Sequence, residues 1–449
     1  MKLKSLIRII ERIIIRAWKA KLNFNEAKVP AFSLPDPLLR TNGEKICDST
    51  GWLAGQRSEI LRLFEDNVYG VSPGEYGQLE FGGIHYEACV LQGLAVLKEI
   101  DIHFQDRKLG PAIRVLLFIP KSVPKPVPVF LGLNFLGNHT IHPDPHISIH
   151  RQWQTSSRYS LPEHVLPSPH TRGADHCRWP IEALLERGYA VATAYYGDLE
   201  PDFPGGWRYG IRSTFPVCPT NLCNPKSTFF PTYKKKSASY AGPPWFLPND
   251  WGAIAAWGWG ASRILDYLVN DPDIIPSQVV LIGHSRLGKA ALWAGALDNR
   301  FAIVVANNSG CGGAALSRRR YGETVKLLNQ VRPHWFCRNF NNYNDKEHEL
   351  PVDQHMLIGL MAPRPVYIAS ASEDLAADPR GEYLSAWEAG KIYALFGLTG
   401  LGVEKMPSLN EPVGATIGYH LRSGRHNMTE YDWNHFIRFA DSHFGKNTS

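Results

Sequence analysis

The feature that most constrains the fold is a serine placed between an apolar run and a stretch that favours a helix. The apolar residues 279–282 end at Gly283, and Ser285 follows two positions later. An order of strand, tight turn and helix lifts a serine out of the end of a sheet, where it can act as a nucleophile. A free serine hydroxyl is a poor nucleophile, so it needs a base, an acid that orients the base, and donors for an oxyanion.

The motif departs from the usual pattern in one position. The common spacing is G-x-S-x-G, whereas here Leu287 occupies the place of the second glycine and Gly288 follows it. Taken alone, the segment is also compatible with a phosphate-binding turn or with a tight connection between a strand and a helix. The surrounding chain must therefore decide between these interpretations.

Strand and helix patterns alternate along most of the chain. Apolar runs bounded by turn residues predict buried strands, and apolar residues at helical spacing predict helices. The predicted strands are 89–99, 100–105, 112–119, 127–134, 189–195, 279–283, 301–307 and 366–370, and the predicted helices are 57–68, 181–187, 251–269, about 286–297, 382–396 and 432–443. This alternation predicts an α/β fold, a doubly wound three-layer αβα sandwich, with functional residues at the carboxyl ends of the strands.

Two long segments without clear periodicity interrupt the alternation. Residues 138–180 are rich in His, Pro, Ser and Arg, and residues 203–248 are rich in Pro, Lys and aromatic side chains. Loops of this length inside a compact domain usually have a function, such as a lid or a binding wall. We therefore expect residues 23–449 to form a single domain with two insertions, and we expect a monomer.

Residues 1–22 differ in charge from the rest of the chain. They contain seven basic side chains and one acidic side chain, and the whole chain has a net charge of +6, so the remainder is neutral overall. A neutral body gives no reason to expect a nucleic-acid partner. Apolar and basic side chains each recur at helical spacing in this segment, which predicts a basic amphipathic helix.

Three roles stay open for the helix predicted over residues 1–22. It could pack against the domain, lie on a membrane surface, or belong to an atypical export segment. Arg8, Glu11 and Arg12 interrupt the apolar stretch that a signal peptide requires, and no stretch approaches the ~18 apolar residues of a membrane span. The compartment is therefore left open.

Cysteines and tryptophans each allow two interpretations. The seven cysteines include no C-x-x-C metal pair; Cys218 and Cys223 could form a local disulfide in an exported protein, but scattered buried thiols are the simpler interpretation. The thirteen tryptophans either fill the core or provide aromatic faces for sugar rings.

The remaining members of a catalytic triad occur in the order that α/β-hydrolases use: nucleophile, acid, histidine. Asp374 follows a predicted strand, and His426 lies in a loop before the last helix. His420 competes with His426 as the base, and Glu373 is the next candidate for the acid. Asp374 could also cap a helix or form an ordinary salt bridge. In the catalytic role it would orient His426 and stabilise the imidazolium that forms as Ser285 attacks.

Two basic residues after the serine are further candidates. The backbone N–H of Arg286, at a helix N-terminus, is the expected oxyanion donor, and its side chain adds a positive charge beside it. Lys289 lies one helical turn beyond Ser285, where it either contacts a hydroxyl-bearing or anionic substrate or is solvated on the helix surface.

These residues resemble a known family. The segment from Gly283 to Lys289 resembles the G-x-S-R-x-G-K signature of bacterial glucuronoyl esterases, carbohydrate esterase family 15. The arginine directly after the serine is specific to this signature. Further similar segments are 134–140, 250–254, 308–314, 373–379 and 425–429, so the resemblance covers about residues 50–440.

The resemblance implies a serine esterase that needs no metal or cofactor and cleaves esters of (4-O-methyl)glucuronic acid, as found between glucuronoxylan side chains and lignin alcohols. It implies Ser285 as the nucleophile, His426 as the base and Arg286 as the oxyanion stabiliser. Lys289 and Glu323 match positions that contact sugar hydroxyls, although Glu323 could equally be a first-turn helix acid. It also implies an exported protein.

Three positions depart from the family pattern. Asn308 stands where fungal members carry the catalytic acid, so the resemblance implies Asp374, the acid position of bacterial members. Ala376 replaces a tryptophan that stacks on the uronate in many bacterial members, and Trp207 and Trp245 in the second insertion are the candidates for its substitute. His284 replaces a fungal cysteine, so the disulfide found there is absent.

Two other functions stay open. One is a related carboxylesterase for acetylated sugars or small uronate esters, which Ala376 favours. The other is a catalytically silent protein that binds carbohydrate or a membrane surface, against which the complete set of Ser285, Asp374 and His426 argues.

Overall fold

The computed structural model describes residues 22–74, 79–104, 112–154, 163–215 and 247–446. The basic segment 1–21, Cys218, Cys223 and Trp245 lie outside these ranges. Within them, no helix is both long and apolar enough to cross a membrane.

One large mixed sheet organises the described residues. Its ten strands are β1 (Leu79–Val90), β2 (Ala95–Phe104), β3 (Ile113–Pro120), β4 (Val127–Asn134), β5 (Ala190–Tyr195), β6 (Ile274–His284), β7 (Ile303–Asn307), β8 (Val366–Ala371), β9 (Val413–Gly414) and β10 (Ile417–Arg422). Their order in the sheet is β1-β2-β3-β5-β4-β6-β7-β8-β10-β9. Strands β5, β4, β6, β7, β8 and β10 are parallel, and the two flanking groups pair antiparallel.

Helices cover both faces of the parallel strands. The main helices are α1 (Arg57–Phe64), α2 (Ile181–Glu186), α3 (Ala253–Leu268), α4 (Arg286–Leu297), α5 (Val325–Val331), α6 (Gln354–Gly359), α7 (Pro379–Ala394) and α8 (Glu430–Phe444). Alternation along β6 separates the two cores, because Leu281 packs with α3 and α4 whereas Val280 packs with α2 and α8. All side chains of β4, β5 and β7 are buried, as expected for strands covered on both faces. The α/β-hydrolase type of three-layer sandwich is confirmed.

Two strand predictions differ from the structure. The predicted strand 89–99 is instead the end of β1, a turn and the start of β2, because Leu91, Gln92 and Gly93 all have positive φ and reverse the chain. Strand β10 was not predicted, since His420 and Arg422 make its pattern polar. Both side chains are buried because they bind Asp432 on α8.

The predicted single domain with two insertions stays a prediction. The first insertion contains a short hairpin of Gln152–Gln154 and Glu163–Val165, and residues 216–246 of the second lie outside the described ranges. Among the described cysteine side chains, Cys47 and Cys177 are exposed thiols and Cys311 and Cys337 are buried thiols.

Candidate active site

Ser285 lies in a strained turn between β6 and α4. Its φ of 57° and ψ of −127° form a conformation that a non-glycine residue adopts at a cost of roughly 1–3 kcal/mol. A Cβ on Gly283 would lie 2.0 Å from the carbonyl oxygen of Leu287, and a Cβ on Gly288 would lie 3.0 Å from the Cβ of Ser309. Close packing against backbone therefore excludes a side chain at Gly283 and leaves little room for one at Gly288.

His426 and Asp374 form a close pair beside this turn. The Nδ1 atom of His426 lies 2.5 Å from Oδ2 of Asp374, whose carboxylate is almost buried, whereas the imidazole is 40% exposed. An ionised carboxylate only accepts hydrogen bonds, so Nδ1 carries the proton and Nε2 is the basic nitrogen. Asp374 makes no helix-capping bond with its side chain, and Asn308 donates to the same Oδ2 atom at 3.1 Å. Asn308, which stands at the position of the fungal acid, thus supports the Asp374 carboxylate through a hydrogen bond.

The competing candidates lie elsewhere. Glu373 is exposed and pairs with Arg425 at 3.3 Å. His420 is completely buried in β10, between Asp432 at 2.9 Å and the hydroxyl of Tyr367 at 3.0 Å. Burial lowers the pKa of His420, despite its bond to Asp432. Its contacts are those of a structural histidine.

His284 connects the serine turn to the histidine loop. Its ring centroid lies 4.5 Å from that of His426, with 39° between the ring planes, so the residue directly before Ser285 contacts the ring of His426. Its Nδ1 lies 2.6 Å from the side-chain oxygen of Asn307, whose amide donates to Asp432. Burial, and then the neighbouring His426, hold the pKa of His284 well below its usual range, so it is a neutral support for the catalytic loop.

A buried carboxylate holds the arginine that follows the serine. Asp202 forms an ion pair with Arg286 and accepts hydrogen bonds from His334 and from the indole of Trp335, both at 2.8 Å. Burial alone would raise the pKa of Asp202, but the charge of Arg286 and the bond from His334 outweigh it and hold that pKa far below its usual range. The guanidinium also lies over the Trp335 and Phe135 rings, at 5.1 and 5.7 Å. Arg286 is therefore fixed in one orientation.

Lys289 and Glu323 lie close to each other. Lys289 is buried, which excludes the solvated role, and its ammonium donates to the carbonyl oxygens of Ser309 and, at 2.7 Å, Cys311. It lies 4.0 Å from the partly exposed carboxylate of Glu323. The backbone N–H of Glu323 donates to the carbonyl of Ala376 at 2.9 Å, so the position that lacks the tryptophan is directly beside this pair.

A second buried carboxyl group lies beneath Asp374. Glu382 on α7 accepts from the hydroxyl of Ser370 at 2.6 Å and from the N–H of Gly310 at 2.8 Å. Complete burial, reinforced by the charge of Asp374, raises the pKa of Glu382 to about 8. Through these hydrogen bonds, Glu382 connects the end of β8 with the loop that follows β7.

The sequence did not point to Asp202, His334, Trp335, His284 or Glu382 as parts of the site. Asp202 and Trp335 are separated by 133 positions and lie on irregular segments, so no periodic pattern relates them. The predicted strand 189–195, which ends a few residues before Asp202, could have drawn attention to this acid, because functional residues gather at the carboxyl ends of the strands in such sheets. In the described part of the chain, no group of His, Cys, Asp and Glu side chains is arranged to hold a metal ion.

Comparisons with known proteins identify the family of this chain. A family model described as glucuronyl esterase of fungi matches residues 234–397. Carbohydrate esterase MZ0003, from an unknown prokaryotic organism, is 44% identical over 426 residues, which are 94% of this chain and 92% of that protein. The structure of a glucuronoyl esterase from Solibacter usitatus is 44% identical with a TM-score of 0.82, covering 93% of this chain and 100% of that one.

A third similar structure is that of an enzyme described as promiscuous. It is called a promiscuous esterase of carbohydrate esterase family 15 from a marine bacterial metagenome, and it is 43% identical with a TM-score of 0.80. It covers 94% of this chain and 100% of that chain. With the motif, the fold and these relatives in agreement, this chain belongs to carbohydrate esterase family 15, the glucuronoyl esterases.

Proposed function

We propose that the protein hydrolyses esters of (4-O-methyl)glucuronic acid, with Ser285 as nucleophile, His426 as base and Asp374 as the orienting acid. The observation that carries this proposal is the 2.5 Å contact between His426 and Asp374 beside the strained turn of Ser285. Membership of the glucuronoyl esterases supports the substrate class.

The reaction then proceeds in two displacements. Nε2 of His426 takes the hydroxyl proton as Ser285 attacks the ester carbonyl, and the imidazolium is stabilised by the Asp374 carboxylate. The same proton goes to the departing alcohol when the tetrahedral intermediate collapses to a glucuronoyl-serine ester. Water, deprotonated by His426, hydrolyses that ester and releases the uronic acid.

Arg286 supplies the charge that the tetrahedral oxyanion requires. Its backbone N–H is at the start of α4, and its guanidinium is fixed by Asp202. Fixed donors and charges need no reorganisation during reaction, and removal of one such donor typically costs roughly 10²- to 10³-fold in kcat.

Lys289 and Glu323 are the proposed contacts for the sugar. Two backbone carbonyls accept from the Lys289 ammonium, which leaves one of its three donors for a ligand hydroxyl. The 35% exposed carboxylate of Glu323 can accept from a neighbouring hydroxyl. A donor and an acceptor about 4 Å apart suit adjacent hydroxyls of a pyranose.

The test is hydrolysis of benzyl glucuronate by the natural protein and by Ser285→Ala, Asp374→Asn and Glu373→Gln. We expect Ser285→Ala and Asp374→Asn to lose roughly 10³-fold or more in kcat, as for other triads. Glu373→Gln is the matched control because it removes the adjacent but exposed carboxylate, and it should retain activity within twofold. Full activity in Asp374→Asn would refute the acid assignment.

A second candidate is a broader carboxylesterase. Ala376 removes an aromatic face beside Glu323, and one similar family member is described as promiscuous. We expect p-nitrophenyl acetate to be hydrolysed as well, and Ala376→Trp to lower KM for benzyl glucuronate while leaving KM for the acetate unchanged. Turnover of the acetate without turnover of the glucuronate would favour this second function.

A further inference from the structure

An open cavity lies at the same edge of the sheet as Ser285 but over different strands. It has a volume of about 490 Å³, within the range of roughly 300–1,000 Å³ typical of ligand sites. Its floor includes Gly197 and Asp198, directly after β5. Only β4 separates β5 from β6 in the sheet, so the cavity is roughly 10 Å to the side of the serine strand.

The cavity and the ester site share one piece of backbone. The turn Tyr196–Leu199, which contributes the floor, leads within a few residues to Asp202, the partner of Arg286. The hydroxyl of Tyr195 donates to the carbonyl of Trp153 in the cavity wall at 3.1 Å. A ligand that occupies the cavity would therefore lie beside the substrate of the esterase centre.

One wall of the cavity is aromatic. The Trp153 ring lies 4.1 Å from the ring of Tyr209, at 31°, and 5.0 Å from the ring of His164, at 29°. Tyr209 and His164 are exposed. Rigid aromatic faces of this kind pack against the apolar faces of sugar rings and provide polar edges for hydroxyl groups.

The lining of the cavity also contains three arginines, which give it basic groups beside the aromatic wall. Arg114 is neutralised by a bidentate pair with Asp101, both contacts at 2.7 Å. Arg151 is exposed and donates to the carbonyl of His164, and Arg208 is exposed and lies over the Trp207 ring at 4.7 Å. Among the described residues, neither Arg151 nor Arg208 pairs with a carboxylate, so two guanidinium groups with spare donors belong to the lining of the cavity.

The cavity lining also includes two titratable groups, Asp198 and His150, which are mostly uncharged in weakly acidic solution. Asp198 is partly open to the cavity, and burial raises its pKa to about 7, so below that pH it is a neutral hydrogen-bonding group. Nε2 of His150 is buried without a hydrogen-bond partner among the described residues, and burial lowers the pKa of this histidine to about 4. Neither group opposes a negative ligand at pH 6.

We infer that this cavity is a second carbohydrate site, which takes an acidic sugar unit of the same glycan beside the unit whose ester is cleaved. The inference extends the proposed function, because it assumes that the ester is carried by a glycan. Trp153 and its partners would contact the ring, and Arg151 and Arg208 would bind the free carboxylate. The aromatic alcohol half of the ester is the other possible occupant, but it would leave both guanidinium groups without a partner.

The test is calorimetric titration of D-glucuronate at pH 6 into the natural protein and into the double variant Arg151→Gln/Arg208→Gln. We expect two bound equivalents in the natural protein and one in the double variant, since the esterase centre also binds the product. The double variant should hydrolyse benzyl glucuronate within twofold of the natural rate. Arg380→Gln, an exposed arginine on α7 outside this lining, is the control and should bind two equivalents.

Two further ligands identify the occupant. D-glucose, the neutral counterpart, should bind the cavity at least tenfold more weakly than glucuronate, and equal affinity would overturn the acidic-sugar assignment. An equivalent of benzyl alcohol whose binding is lost in the double variant would assign the cavity to the alcohol half and overturn the inference, as would two glucuronate equivalents in the double variant. If benzyl glucuronate is not hydrolysed at all but the arginine-dependent equivalent persists, the proposed function fails and the cavity assignment stands.

Discussion

At the scale of single residues, the site depends on how one carboxylate holds one guanidinium. Arg286 follows a serine whose strained backbone fixes its direction, but the arginine side chain is long and has many rotamers. Asp202, itself held by His334 and Trp335, reduces these to one. The guanidinium that we propose as the oxyanion stabiliser is therefore oriented before the substrate arrives.

This arrangement predicts the behaviour of Asp202→Asn. The variant keeps the shape of the side chain but leaves the partly buried charge of Arg286 without its anion, so we expect kcat on benzyl glucuronate to fall roughly 10- to 100-fold, mainly without a change in KM. The decisive comparison is a double-mutant cycle with Arg286→Gln. If Asp202 acts through Arg286, the double variant is no slower than Arg286→Gln alone.

The control for that cycle is Asp345→Asn. Asp345 pairs with Arg320 and Lys326 at the surface, so its removal deletes a carboxylate without touching Arg286. Fully additive losses for Asp202→Asn and Arg286→Gln would contradict the positioning role.

The positions of two candidate residues were predictable from local order. Ser285 and Asp374 each follow a predicted strand, and parallel strands bring such ends to one edge of the sheet. His426 follows β10, which was not predicted, so its selection depended on the order of residues in a triad and on the family resemblance. Asp202 and Trp335 could not be predicted, because their contact depends on the course of two irregular segments. Nor does a sequence show that Lys289 is buried, since its carbonyl partners come from a loop after β7.

At the scale of elements, helix α7 supports the acid from below. Glu382 reaches from this helix to Ser370 at the end of β8 and to Gly310 after β7. Because Asp374 and Asn308 belong to those same two strand ends, a single carboxyl group fixes the spacing of the acid and its amide partner. The protonation of Glu382 should therefore matter to the stability of the fold.

The expected pH dependence of the stability follows from the raised pKa of Glu382. The folded protein holds this proton up to about pH 8, whereas the unfolded chain releases it near pH 4.5. The stabilisation is thus complete below about pH 4.5 and is lost as the pH rises through about 8. Glu382→Gln imitates the protonated form, so the melting temperature of the natural protein should fall relative to that of this variant between pH 5 and pH 8.

The measurement is thermal unfolding at several pH values for both proteins, with Glu373→Gln as a carboxyl-removal control. The exposed Glu373 should give a profile parallel to that of the natural protein. A constant difference in melting temperature between Glu382→Gln and the natural protein across this pH range would show that Glu382 does not change its proton affinity on folding.

Elements were predictable where one strong pattern dominates. The apolar runs of β4, β5 and β6 and the long helices α3 and α7 agree with the sequence-based prediction to within a few residues. The prediction failed at the β1–β2 turn, where Leu91 and Gln92 adopt positive φ against their intrinsic preference. It also missed β10, where His420 and Arg422, which bind Asp432 through a hydrogen bond and an ion pair, replace the apolar side chains that usually identify a strand.

At the scale of the whole molecule, charge is distributed unevenly along the chain. The net charge of +6 is that of residues 1–22, and the rest of the chain is neutral. The described chain begins near Glu323, because the carbonyl of Asn23 accepts from the N–H of Gly322 at 2.8 Å, and Glu26 pairs with Arg319 at 2.6 Å. The basic segment thus joins the body close to the candidate site.

This distribution predicts binding to anionic membranes through the basic segment. The protein with residues 1–22 present should sediment with vesicles that contain phosphatidylglycerol and not with neutral vesicles, and binding should weaken with added salt. Each basic residue near an anionic surface contributes about 1 kcal/mol, so the triple variant Arg8→Gln/Arg12→Gln/Arg16→Gln should bind roughly 100-fold more weakly. Its esterase activity should not change, because the catalytic residues belong to the body.

The matched control replaces three exposed lysines of the body, Lys346, Lys391 and Lys405, by glutamine. It lowers the total charge by the same amount but leaves the basic segment intact, so its vesicle binding should equal that of the natural protein. Equal losses in both triple variants would mean that total charge alone governs binding. If neither variant nor the natural protein sediments with anionic vesicles, the membrane role is wrong and the segment serves the domain or export instead.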